Sequence, residues 1–259
     1  MIPDTPGSGV AGLLSAPRDR LERTAAAFSA LESRWLLAAI APVVLTAAVI
    51  TAGYVASGGE DPGFPPQFAT FVYGVSNVVV LGVLYARFPE RVWRASALFR
   101  RPSKRELAAG VLATAAGVAV GWPLTTLLAD AAGIARYTVP SVVAPFGFSP
   151  VGILALFFGS VVVAPVAEEI LFRGLFLGVV LDRGYGPYAA AASSLAVFAA
   201  LHAFTAGAAG VVNALLLGAL LTWLRFRFDN LAGAWLLHAL NNLLEFLVAI
   251  SVFPSLYAL

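Results

Sequence analysis

No cysteine occurs anywhere in this chain. Disulfides, thiolate nucleophiles and cysteine-ligated metals are therefore excluded, although the absence does not fix the redox compartment. Charge is nearly as scarce. Charged residues make up 12% of the sequence and hydrophobic ones 60%, whereas an ordinary soluble domain carries about 25% charged residues. That deficit excludes a soluble globular protein of this length. The short alternating strands of a transmembrane barrel are lacking too. The apolar runs are instead roughly 17 to 25 residues long and do not alternate. No convincing long-period repeat appears. The first 34 residues do not read as a signal peptide, because Asp4 precedes every basic residue and the apolar stretch Val10–Leu14 is short.

What remains is an all-α, polytopic membrane helix bundle with about seven transmembrane helices. The segments are expected at Trp35–Ala56, Pro66–Ala86, Leu107–Ala129, Pro150–Leu181, Tyr188–Phe204, Gly210–Leu224 and Leu231–Phe253. The fourth is too long for a simple span and is expected to protrude, tilt or bend near Pro165, which lacks a backbone donor. The fifth and sixth are short and joined by the small residues Ala206 to Gly210, which suits a tight helical hairpin. Residues 1–34 read as a cytoplasmic amphipathic or flexible N-terminal segment. The register of Leu21, Ala25, Phe28 and Leu31 suits a short helix lying on the membrane surface. Gly117–Gly121 and Gly174–Gly178 have the small-residue spacing of close helix contacts.

Basic residues set the orientation. Arg18, Arg20, Arg23 and Arg34 precede the first segment, and seven more from Arg87 to Arg105 lie between the second and third. Arg183, Arg225 and Arg227 fall on the same side, whereas Arg136 alone shares the other with Glu60, Asp61 and Asp130. The positive-inside rule makes the basic side cytoplasmic, with the N-terminus inside and the C-terminus outside a plasma or inner membrane. A basic loop between two spans meets anionic lipid head groups, so membrane lipids are expected partners and nucleic acid is not.

Against this apolar background the remaining polar groups stand out. Both histidines of the chain, His202 and His238, lie in hydrophobic segments, as do Glu168, Glu169 and Arg173. Ionisable groups at membrane depth are costly and persist mainly where they pair or line a cavity. Glu169 and Arg173 are four apart, share a helix face and suit an ion pair. Glu168 lies about 100° around the helix and can face a cavity as a free carboxylate able to take a proton from water. Phe198 precedes His202 by one turn, and His238 precedes Asn242 by one turn. Donors such as His238 and Asn242 suit a developing oxyanion. Asn241 points elsewhere, toward a neighbouring helix. Counting helical rise places Glu168 and His202 about 20 Å in from the cytoplasmic ends, Asn242 about 16 Å and His238 about 10 Å, so one cavity can collect all four. A lone intramembrane histidine or asparagine is ordinarily an interhelical hydrogen-bonding residue, and a Glu–Arg pair is ordinarily structural. The coincidence of both histidines with the only paired acids of the hydrophobic segments argues for chemistry.

Glu168-Glu169-x-x-x-Arg173, Phe198-x-x-x-His202 and His238-x-x-x-Asn242, in that order on successive hydrophobic helices, resemble the CAAX-protease and bacteriocin-processing (CPBP) family of intramembrane endopeptidases. The resemblance covers about residues 148–252, a CAAX-protease-like catalytic core. Residues 35–147 are then variable N-terminal transmembrane helices with a basic cytoplasmic loop. The resemblance implies an endopeptidase acting on membrane-associated protein or peptide substrates in a cavity open to the cytoplasmic side. It implies that Glu168 and His202 activate water, that His238 and Asn242 stabilise the oxyanion, and that Glu169, Arg173 and Phe198 support them. The family is often labelled metalloprotease, and Glu168, His202 and His238 would make a two-histidine, one-glutamate ligand set for zinc. No His-Glu-x-x-His motif accompanies them, and a glutamate acting directly on water needs no cofactor, which is the favoured expectation. A proton-coupled transporter and a non-catalytic scaffold or immunity protein are the alternative readings. The first lacks an inverted repeat, and the second leaves the intact motifs without a purpose.

Overall fold

The computed structural model describes residues 21, 24–64, 66–139 and 149–253, and among them every regular element is helical. Val10–Leu14, Arg18, Arg20 and Arg23 lie outside the described residues. Helix α1, Ala41–Ala56, is entered through a 3₁₀ stretch, Ser33–Ala39, at a bend of 54°. There follow α2 (Pro66–Arg87), α3 (Glu90–Ser96), α4 (Lys104–Ala132), α5 (Pro150–Asp182), α6 (Pro187–Leu201), α7 (Ala203–Phe228) and α8 (Ala232–Ala249).

Helices α2, α4, α5, α7 and α8 are long and apolar enough to cross a membrane, and the bent pair containing α1 makes a sixth candidate. Helix α6 is apolar but shorter, at 15 residues. The fold is thus the all-helical membrane bundle expected, with five or six full spans and one short helix. Its outer surface fits lipid. Leu112, Leu127, Val151 and Leu154 are largely exposed, whereas Arg173 and Arg225 are almost wholly buried.

Helix α5 is long, as expected, and widened π-helical stretches, Phe157–Val163 and Glu169–Phe176, flank Pro165. Bonds from i to i+5 are one way for a helix to pass a residue that lacks an N–H. Two local expectations come out differently. Helices α6 and α7 form the expected hairpin with unequal arms. Helix α7 runs on to Phe228, and the chain breaks at Gly207 (φ 64°, ψ −166°), a backbone open to glycine alone. Finally, Leu21, Ala25, Phe28 and Leu31 are all buried. Their face is turned to the protein rather than to lipid, with Phe28 against Gly178 of α5.

Between helices in lipid no hydrophobic force drives association, so packing depends on close approach and polar ties. A Cβ on Gly159 would collide with the Thr70 carbonyl oxygen, and one on Gly74 would lie only 2.8 Å from the Gly159 Cα, so α2 and α5 cross backbone to backbone. Gly174 meets the Ser96 carbonyl of α3 in the same way and leaves no room there for a Cβ. Gly117 and Gly121 make no such approach. They lie in a π-helical stretch of α4 instead.

One end of the bundle collects the basic residues. Arg100, Arg101, Arg105 and Arg227 line a single cleft there, and Arg183 donates to the Leu31 carbonyl. Buried Glu106 ties this end together, accepting from Gly233 N at 2.8 Å and Asn230 Nδ2 at 3.0 Å. Its carboxylate caps the start of α8, where the helix dipole favours negative charge. At the opposite end Arg136 binds Asp130 through two 2.8 Å hydrogen bonds, which hold the Arg136 guanidinium above its ordinary pKa.

Candidate active site

Helix α5 supplies both acids, and their partners show that they differ. Glu169 is fully buried, and its Oε1 accepts from Arg173 Nη1 at 3.3 Å and from His238 Nδ1 at 2.9 Å. A carboxylate only accepts, so Nδ1 of His238 carries the hydrogen. The expected Glu169–Arg173 pair is present, and Glu169 also orients the imidazole of α8. Arg173 Nη2 donates to the Gly218 carbonyl of α7 at 3.3 Å. Its guanidinium carbon lies 4.1 Å above the Phe198 ring, a cation–π contact.

Glu168 is buried as well. Its Oε1 accepts a 2.9 Å hydrogen bond from the Tyr73 hydroxyl of α2. Its Oε2 lies 3.7 Å from His238 Nε2, beyond hydrogen-bond length, and has no protein partner. Glu168 Oε2 and His238 Nε2 therefore face one another across a short gap, with His238 held from behind by Glu169.

Phe198 is the hub of the apolar wall. Its ring centroid is 4.6 Å from that of His202, 5.3 Å from Phe172 and 6.1 Å from His238. His202, at the end of α6, donates from Nδ1 to the Phe198 carbonyl at 2.8 Å. A carbonyl only accepts, so Nδ1 of this imidazole carries a hydrogen. Asn242 is half-buried, and its Nδ2 donates to the Ser160 carbonyl of α5 at 2.9 Å. Asn241 points elsewhere, as its register implies. Its Oδ1 accepts from Trp122 Nε1 of α4 at 3.2 Å, and its Nδ2 approaches Glu245 at 3.4 Å.

The structure thus joins Glu168, Glu169, Arg173, Phe198 and His238 through direct contacts, sets His202 on the same phenylalanine and ties Asn242 to α5. As ligands for zinc, Glu168, His202 and His238 do not group. Among the described residues no three His, Cys, Asp or Glu side chains lie close enough together to hold a metal ion.

Tyr73 and Ser160 belong to the arrangement and escape a reading by motif. Tyr73 leaves one signal, a hydroxyl in an apolar span one turn before Asn77, whose Nδ2 bonds the Tyr73 carbonyl at 3.0 Å. A tyrosine hydroxyl inside a protein usually finds a partner. Ser160 acts through its backbone carbonyl, which every residue type carries.

Residues 150–244 match the model of the Rce1-like family, described as type II CAAX prenyl endopeptidase Rce1-like. The matched segment contains every residue from Glu168 to Asn242 discussed above and excludes Tyr73. No curated protein and no solved structure matches the chain.

Proposed function

The chain is an integral membrane protein whose 150–244 segment belongs to the CAAX-protease (CPBP) family, and from that premise we propose a glutamate-dependent endopeptidase that cuts membrane-associated peptides or protein termini. The observation that carries the proposal is the line Glu169–His238–Glu168, a carboxylate holding an imidazole at 2.9 Å against a second carboxylate whose facing oxygen is unbonded.

In this mechanism Glu168 Oε2 takes a proton from water, and the hydroxide attacks the scissile carbonyl. His202 Nε2 accepts a hydrogen bond from the O–H that remains and orients the nucleophile. The oxyanion receives hydrogen bonds from Asn242, through the Nδ2 hydrogen not committed to Ser160, and from His238 Nε2 when that ring carries both protons. Collapse breaks the C–N bond, and Glu168 returns its proton to the leaving amine. One water is consumed, and a carboxyl and an amine terminus are released. Glu169, Arg173 and Phe198 touch none of the reacting atoms and hold the imidazoles in place. No step passes through a metal. The basic end of the bundle faces the cytoplasm in this reading, which places the N-terminus inside and the C-terminus outside.

Glu168→Gln tests the proposal. The variant should fold, lose turnover and retain bound peptides, which mass spectrometry would identify against the wild type. Near-wild-type turnover by Glu168→Gln would remove Glu168 from the role of base.

A further inference from the structure

The catalytic carboxylate is held by a side chain from outside the family-matched segment. Tyr73 lies on α2, and among the described residues of 150–244 no hydrogen bond reaches either oxygen of Glu168. Its hydroxyl donates to Glu168 Oε1 at 2.9 Å. The contact depends on the backbone-to-backbone crossing of α2 and α5 at Gly74 and Gly159, since Gly74 is the next residue after Tyr73. One turn further along the same helix Asn77, wholly buried, donates to the Tyr73 carbonyl at 3.0 Å.

We propose that Tyr73 is a positioning residue for the reaction: by engaging Oε1 it fixes the carboxylate plane of Glu168 so that Oε2 faces His238 and the scissile bond. This inference rests on the assignment of Glu168 as base. Two effects of the hydroxyl compete. A hydrogen bond to a carboxylate stabilises its charged form and weakens it as a base. The same bond also stops the carboxylate from rotating, and misplacement of a reacting group by about 1 Å can cost roughly 100-fold in rate. Orientation wins here because Oε2 has no protein donor of its own to hold it. Helix α2 thereby supports the reaction, since it carries the group that aims the base.

The test has two arms. In the first, the infrared difference spectrum between the wild type and Glu168→Gln isolates the Glu168 carboxyl stretches, and the same difference is recorded in a Tyr73→Phe background. In the second, turnover of an internally quenched peptide library bearing a C-terminal lipid anchor is measured in nanodiscs. Tyr73→Phe keeps the ring and should fold. It should shift the Glu168 band and lower kcat roughly 10- to 100-fold with KM little changed. Tyr85→Phe, on the outward face of the same helix and 68% exposed, should leave both unchanged. Fluorotyrosine at position 73 retains the hydroxyl but changes its strength as a donor. It should move the band and kcat together, and it decides the matter if Tyr73→Phe does not fold. An unshifted band, an unchanged kcat, or a loss confined to KM overturns the positioning role. Failure of the base assignment looks different: Glu168→Gln then turns over peptide, or no library member is cut, whatever the band at Glu168 does.

Discussion

Arg173 shows how much one buried side chain can hold. It is wholly buried, pairs with Glu169, reaches the Gly218 carbonyl of α7 and stacks on Phe198 of α6. Arg173→Ala leaves Glu169 without its guanidinium and should cost about 3–5 kcal/mol of stability, visible as lost folded yield and a lower Tm in detergent. Arg173→Lys keeps the charge but loses the fork and the planar stack, and should fall in between. Asn242 is the opposite case. In the proposed mechanism it is an oxyanion donor acting mainly in the transition state, so Asn242→Ala should lower kcat roughly 10²- to 10³-fold with KM nearly unchanged. Its bond to the Ser160 carbonyl adds a small stability term, about 0.6 kcal/mol for an average interhelical hydrogen bond in a membrane. Asn241→Ala should reverse the pattern, sparing kcat and costing about 1 kcal/mol, because its bonds to Trp122 and Glu245 are lost at about 0.6 kcal/mol each. Steady-state kinetics beside thermal unfolding of both variants separates the two roles. Equal kinetic damage at both positions, or a pure KM effect at Asn242, would count against the oxyanion assignment.

At the scale of the element, close crossings position the site. Gly159 brings α5 onto α2, and Gly174 brings it onto α3 at the Ser96 carbonyl. In both cases the obstructing atom is backbone, which cannot rotate away as a flexible side chain can. Gly174→Ala should therefore cost at least the roughly 1–3 kcal/mol of an overpacked core. Gly159→Ala should also loosen the contact of α2 with α5 and with it the hold on Glu168. Gly121, whose added Cβ would meet nothing within 4 Å, should accept alanine without measurable loss. Thermal unfolding and size-exclusion profiles of the three variants in detergent check this order. An equal loss at all three would show that crossing distance does not govern these glycines, since helix propensity alone favours alanine.

For the whole molecule, the absence of cysteine makes the natural sequence its own background for labelling. Lys104→Cys and Tyr185→Cys, both exposed at the basic end, should react only from the cytoplasmic side, and Glu60→Cys only from outside. Reaction of Tyr185→Cys from outside overturns the orientation. Burial places these positions, because Ser96 of the same basic loop is fully buried and would label poorly from either side.

Class, helical content and the pairing within single helices were legible in the sequence. Long apolar runs dictate helices in lipid, because only helices and closed barrels satisfy every backbone group there. A four-residue spacing dictates a shared face, which is why Glu169 meets Arg173 and why Asn241 and Asn242 part company. Bonds between helices were not legible. Tyr73 on Glu168, Glu169 on His238, Ser160 on Asn242 and Glu106 on Gly233 join positions roughly 70 to 130 residues apart. No local periodicity encodes them. The buried face of Phe28 and its neighbours was decided in the same way. An amphipathic register states that one face is apolar, and only the assembled bundle decides whether lipid or protein covers it.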